Sequence, residues 1–266
     1  MRALAHRRGF AIEAVVWPVL GVGVAIAALE LGPRLGILPR QSFPPASEIF
    51  RVLGDLVRGS ELWGAIGDTL AAWAKSMVLA TVIALPVGMA MGASQVGALL
   101  LRLTVDFLRP IPSVALIPVL VLIYGTRPSI TVALATIGAT FPLLFQAMYG
   151  VADVDPVAKD TARVFGLGFG AQVRRITLPS VAPYLATGFR ISASVALILV
   201  VTGEYVVGVD GLGKEVFLAQ SGAAYQRMYA FIVTTGLLGL GVNLALLAVE
   251  RRVLFWHPSQ RDEGAP

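Results

Sequence analysis

The chain has 266 residues, 56% of them hydrophobic and only 14% charged, with a mean hydropathy of +0.78 and a formal charge of +5. A soluble domain averages about 45–50% apolar and about 25% charged residues, and no soluble domain of this length hides so much apolar surface; the composition is that of a membrane protein. The absence of cysteine excludes disulfides, thiolate metal sites and cysteine nucleophiles. His6 and His257, at opposite ends of the chain, argue against a histidine metal centre, and the modest basic excess suits loops facing an anionic leaflet without calling for nucleic acid.

A membrane-crossing helix needs about 20 apolar residues. Uncharged runs cover 14–29, 76–101, 110–126, 128–152 and 228–249, and a further apolar stretch, 176–203, is interrupted only by Arg190. Six spans are predicted. The first follows Arg2, His6, Arg7 and Arg8 in the manner of a signal peptide, but it ends in Ala28-Leu29-Glu30-Leu31. No small-x-small cleavage site follows, so it reads as a retained span with Glu30 at the interface. After Pro44-Pro45, Ser47 is placed to N-cap a short helix reaching Gly59. Ile49, Phe50, Leu53, Leu56 and Val57 recur there at helical spacing, as in an amphipathic helix lying on the outer surface. Asp68 and Lys75 share a face near the start of span two, where they read as structural, and Gly88 and Gly92 form a small-xxx-small pair suited to close helix packing. Span three, 110–126, contains Pro110, Pro112 and Pro118 and borrows length from 100–109. Basic residues, above all Arg7-Arg8 and Arg251-Arg252, favour both termini on the cytoplasmic side. The organisation is then an N-terminal part over 1–64, a core over 65–255 and a cytoplasmic tail over 256–266.

The segment 151–182 is far longer than a connector requires. It opens with Asp153-Val154-Asp155-Pro156, holds a helical pattern to Phe165, breaks at Gly166, Gly168 and Gly170, and resumes through Gln172–Thr177 to a predicted stop at Pro179. Within it, Asp160-Thr161-Ala162 precede Gly166 by three intervening residues, and nine more lead to Ile176-Thr177-Leu178-Pro179. This spacing resembles the EAA motif of binding-protein-dependent ABC importer permeases, with Asp160 in place of Glu and Thr161 in place of Ala. Further matches are Leu108-Arg109-Pro110-Ile111-Pro112, Ile117-Pro118, Phe141-Pro142, Thr187-Gly188-Phe189-Arg190-Ile191, Gly211-Leu212-Gly213 and Glu250-Arg251-Arg252. These look like the branch importing nitrate, taurine, alkanesulfonates and pyrimidine precursors, over roughly 65–255.

The resemblance implies an all-α, six-span type I importer permease of the bacterial inner membrane, with a cytoplasmic helix-turn-helix coupling loop. It implies a dimer of permease subunits, two ABC ATPase subunits docked on the loops, and an extracytoplasmic binding protein that delivers a small polar solute. Asp160, Thr161, Ala162, Phe165, Gly166, Ile176, Leu178 and Pro179 would couple the chain to the ATPase. This chain would hold no cofactor of its own, ATP and magnesium being bound by the ATPase partners.

Other signals are weaker. Gly208-Val209-Asp210-Gly211-Leu212-Gly213-Lys214 imitates a P-loop, but Glu215 stands where Ser or Thr should hold magnesium and no strand precedes it. It reads as a glycine-rich turn. Glu204, at membrane depth, either lines or gates the solute path or is bonded to a neighbouring helix. Thr140, Gln146, Ser194 and Thr202 are the other polar candidates for that path, and Arg190 is expected to snorkel to the cytoplasmic interface. The competing class is a self-sufficient secondary transporter or channel, which would carry internal repeats or several buried charges. A membrane enzyme is a third option, against which stand the absent cysteines, the terminal histidines and the lack of a converging carboxylate cluster on the spans.

Overall fold

The computed structural model describes residues 2–94, 99, 103, 107–108 and 110–255, with 2–15 described through their backbone alone. The side chains of Arg2, His6, Arg7 and Arg8, residues Arg102 and Arg109, and the tail 256–266 lie outside what is described. Every regular element among the described residues is helical. In chain order they are α1 (Arg2–Arg34), α2 (Ala46–Arg58), α3 (Glu61–Ala93), a 3-10 turn (Ser113–Leu116) leading into α4 (Ile117–Tyr124), and α5 (Ser129–Ala152). There follow α6 (Pro156–Val164), α7 (Phe169–Val207), α8 (Leu212–Ser221) and α9 (Tyr225–Val253).

Among the described residues, five helical stretches are long and apolar enough to cross a bilayer: Val16–Arg34, Glu61–Ala93, Ser129–Ala152, Phe169–Val207 and Tyr225–Val253. They coincide with five of the six predicted spans. The predicted third span is divided: α4 has eight residues, about 12 Å of rise, too short to cross alone. The 100–109 segment it should borrow from lies mostly outside the described residues.

The chain divides into two units. In the first (Met1–Trp63, Val216–Thr234), the apolar stripe of α2 buries Ile49 and Leu56 and leaves Phe50 and Val57 exposed. The helix opens at Ala46, with Pro45 before it and no side-chain cap, so Ser47 is not the predicted N-cap. Its N–H donates to Glu30 Oε2 at 2.9 Å and its hydroxyl to Glu30 Oε1 at 3.1 Å. A carboxylate from α1 thus meets an orphan amide at the N-terminus of α2, where the helix dipole favours negative charge. Arg227 pairs with Glu61 and lies over the Phe231 ring.

The second unit (Gly64–Glu215, Thr235–Pro266) is organised around α5 and α7, which pack along most of their lengths. Small residues make the approach possible: Ala135, Ala139, Ala193 and Ala196 are wholly buried. Polar ties cross between helices. Ser192 Oγ donates to the Ala139 carbonyl at 2.7 Å, Trp73 Nε1 to the Ala193 carbonyl at 2.9 Å, and Ser76 Oγ to the Val132 carbonyl at 3.3 Å. Helix α3 lies against α5 through Gly88 and Gly92, where a Cβ would come within 2.4 Å of the Leu144 and Met148 carbonyl oxygens respectively.

Pro179 does not stop its helix. The preceding Val173–Thr177 form a π-turn in which the Leu178 N–H bonds the Val173 carbonyl, five residues back. That register change absorbs the donor Pro179 lacks, and the helix continues to Val207.

Candidate functional site

The 151–182 segment is a built structure. Pro156 occupies the first turn of α6, and the Asp155 carboxylate accepts from the Val157 N–H at 2.8 Å, an N-cap that meets one orphan donor. At the other end Gly166 adopts φ +70°. The Gly166 N–H bonds the Arg163 carbonyl at 3.0 Å and the Leu167 N–H bonds the Ala162 carbonyl at 2.9 Å, the paired bonds of a Schellman close. A residue with a Cβ would be strained there. Gln172 Nε2 then holds the Leu167 carbonyl at 2.9 Å.

The loop is also anchored. Val151, Val154 and Val181 form a buried cluster on which Ile176 packs, and the Tyr184 hydroxyl donates to Asp153 Oδ2 at 2.5 Å. Of the predicted coupling residues, Ala162 is buried, whereas Asp160, Thr161, Phe165, Gly166 and Pro179 are exposed. Asp160 pairs with Arg163 at 3.0 Å, and Leu178 is 42% exposed. Sequence reasoning missed three members of this surface. Val157, Val164 and Phe169 are exposed, as Phe165 is, the last two of the three at 85% and 84%. The sequence shows a helical pattern to Phe165 without saying which face is buried, and the structure turns Val157, Val164 and Phe165 outward. Contiguous exposed apolar side chains on an ordered loop mark an interaction surface.

The five residues predicted along the solute path are dispersed. The Thr140, Ser194 and Thr202 hydroxyls bond carbonyls four residues back on their own helices. Gln146 lines a cavity of about 400 Å³ together with Ser113, Phe145 and Tyr149. Glu204 is wholly buried. Its Oε2 accepts from Thr69 Oγ1 on α3 and from the Gly213 N–H, both at 3.0 Å, and Thr69 Oγ1 in turn accepts from the Leu212 N–H at 3.0 Å. The carboxylate and the hydroxyl therefore cap the first turn of α8. Of the two readings of Glu204, this is the bond to a neighbouring helix.

The same geometry settles the P-loop imitation. Amide donors that would cradle a phosphate are already held by Glu204 and Thr69. Gly208 is in the left-handed region at φ +78° and Gly211 has φ +145°, and a Cβ on Gly211 would fall 2.2 Å from the Glu204 carboxylate. The glycines make a turn that closes over a side chain.

Arg190, expected to snorkel to the cytoplasmic interface, has its guanidinium 3.8 Å from Glu250 Oε2 near the end of α9. Asp68 and Lys75 form no pair with each other among the described ion pairs and instead line a cavity of about 460 Å³ with Ser129 and Asp210. Lys214 ion-pairs with Asp210 at 2.5 Å, which holds its ammonium above the ordinary lysine value. Among the described residues no group of three or more His, Cys, Asp or Glu side chains could hold a metal ion.

Comparison with known proteins adds to this geometry. The sequence profile described as "Binding-protein-dependent transport system inner membrane component" matches residues 72–255. The putative aliphatic sulfonates transport permease protein SsuC of Bacillus subtilis is 25% identical, covering 89% of this chain and 86% of its own. The taurine transport system permease protein TauC of Escherichia coli is 27% identical, covering 90% and 86%. Among solved structures, an inward-facing MetNI methionine ABC transporter superposes with a TM-score of 0.62 at 23% identity, over 73% of this chain and 96% of that one, a likeness of fold.

Proposed function

The chain belongs to the inner membrane components of binding-protein-dependent transport systems, and on that premise we propose how it works. Membership makes it a multi-pass permease of an ATP-driven importer, a transport component and not an enzyme; the secondary-transporter alternative is not favoured. We infer that two copies form the translocation unit, with both termini cytoplasmic and 65–255 as its core. Each 151–182 loop docks on one of two ATPase subunits, which bind the ATP and magnesium. A separate extracytoplasmic protein presents a small polar solute of the sulfonate, taurine, nitrate or pyrimidine type.

The observation that carries this reading is the loop itself: capped at Asp155, closed at Gly166, anchored through Val154 and Tyr184, and bare at Val164, Phe165 and Phe169. Covering each of those apolar side chains is worth about 1.5–3 kcal/mol. The rigid anchor is what lets a partner's movement reach α7. Closure of the ATPase pair on nucleotide draws the two loops together, α5 and α7 tilt to open the path outward, and hydrolysis resets them.

The test is purification of the tagged chain from its native membrane in mild detergent, with mass spectrometry of what co-elutes. An ATPase in equal stoichiometry is expected. It should be lost, with uptake, in Gly166→Val and Asp160→Lys variants that still insert. Normal uptake by both variants sinks the coupling role, and transport that persists without ATP restores the secondary-transporter reading.

A further inference from the structure

Deepening the importer reading, on which this inference rests, we propose that the cavity at Gln146 receives an uncharged, planar solute bearing an amide-like edge, and not a bare anion. At about 400 Å³ the cavity is of the size of small-ligand sites. It lies between α5 and α7 within the spanning region, and α5 carries no charged residue from Ser129 to Ala152.

Its polar groups are the Ser113 hydroxyl, the Gln146 amide and the Tyr149 hydroxyl. None of the three makes a side-chain hydrogen bond to another described residue, unlike Thr136, Thr140, Ser192 and Ser194 on the same two helices. Ser113 and Gln146 are partly exposed and Tyr149 is 50% exposed, so their polar atoms stay open to whatever occupies the cavity; polar groups so placed in a spanning region mark a wet or solute-bearing surface. The stem of Gln146 is pinned: α7 presses on it at Gly188, where a Cβ would meet Gln146 Cβ at 2.8 Å and Cγ at 3.1 Å. Only the amide head remains to offer. A fourth group is the Gly138 carbonyl on the same wall, to which Pro142, four residues on, has no N–H to give.

The set therefore holds hydroxyl and amide donors beside amide and carbonyl acceptors, with no charge. A carboxamide meets an adjacent donor and acceptor edge in two parallel bonds, as glutamine does with adenine. Phe145 and Tyr149 add an aromatic wall, their rings 6.1 Å apart and inclined by 25°, which suits a flat solute. An anion fits poorly. The nearest cation along α7, Arg190, pairs with Glu250 and lines a different cavity. A second copy of the chain repeats the same residues, the negative ring faces repel an anion, and an unpaired charge costs far more to desolvate than an amide does. Relatives at 25–27% identity named for sulfonates and taurine indicate the branch; the cavity side chains choose the cargo.

The test is saturation-transfer NMR on the permease in lipid nanodiscs, a method that reads weak ligands, with uracil and ethanesulfonate as probes. Uracil should receive saturation and ethanesulfonate, a bare anion, should not. Gln146→Leu should weaken uracil at least about fivefold, the loss of one bidentate contact, and Tyr149→Leu supplies the same comparison if the first variant does not insert. Equal or stronger transfer to ethanesulfonate, no transfer to either probe, or uracil binding indifferent to both substitutions overturns the proposal. Co-purification of an ATPase with the unmodified chain is measured alongside. Its absence sinks the importer reading, whereas a sulfonate-selective cavity with the ATPase present sinks only the solute assignment.

Discussion

Replacing Thr69 by valine keeps the shape of the side chain and deletes the one hydroxyl that joins α3, α7 and α8. In the native chain that oxygen donates to Glu204 Oε2 and accepts from the Leu212 N–H, each at 3.0 Å, with Thr69 wholly buried. The variant loses a bond to a carboxylate, about 1.5–3 kcal/mol, and a neutral bond of about 1 kcal/mol, and it leaves a buried N–H unmet. A total near 3 kcal/mol, at about 2–4 °C per kcal/mol for a chain of this size, corresponds to a fall in Tm of roughly 6–12 °C. Thermal unfolding of the detergent-purified protein measures it, and hydrogen exchange at Leu212 and Gly213 locates it. Thr69→Ser, which retains the hydroxyl, should recover most of the loss. A fall of under about 2 °C, with exchange at those two amides unchanged, would refute the assignment of Thr69 and Glu204 as the cap of α8.

Gly88→Ala should destabilise by about 1–3 kcal/mol, because its Cβ would meet the Leu144 carbonyl oxygen at 2.4 Å and Ala147 Cβ at 2.8 Å. Gly67→Ala on the same helix, with nothing within 4 Å, should be neutral or stabilising, and equal melting of the two would contradict the packing. For the Arg190–Glu250 pair, 3.8 Å apart and with the arginine 38% exposed, a double-alanine cycle should return a coupling of about 0.2–1 kcal/mol; a value well above that range would mean a tighter pair than the geometry shows. Hydrogen bonding by Arg40, then by Gln226, holds the Glu48 carboxyl below its ordinary value. The stabilisation it gives α2 is therefore complete above the ordinary carboxylate range and lost as pH falls through the lowered value. Amide protection factors in Ala46–Arg58, referred to the intrinsic exchange rate at each pH, should fall on acidification in the native chain and lose that dependence in Glu48→Gln.

What the sequence determined alone was whatever depends on lengths and on neighbours a few residues away. Apolar runs long enough for a bilayer announce the spans because hydrocarbon thickness is a length. Gly166 announces the close of α6 because a Schellman turn needs φ above zero within six consecutive residues. Pro156 after Asp155 announces its start for an equally local reason. The spacing of Asp160, Gly166 and Ile176-Thr177-Leu178-Pro179 sufficed to indicate the family.

Tertiary structure decided the partners. Thr69 and Glu204 are 135 positions apart, and no spacing rule says that a hydroxyl on α3 meets a carboxylate on α7 beneath a glycine turn. Ser47 carries a good local N-cap signal, but it falls inside the first turn of α2, where its amide and its hydroxyl both donate to a carboxylate from α1 and its oxygen caps nothing. Pro179 lost its power to end a helix once the π-turn before it changed the register. Gln146 stood among five equal polar candidates until the packing of Gly188 pinned its stem and the close of Ser113 on Gly138 put a cavity before its amide. Each of these outcomes depends on the rotation and height at which two helices meet, which is set by the interlocking of small residues across α3, α5 and α7. Hydropathy along the chain carries the length of a helix, not the face it turns to its neighbour.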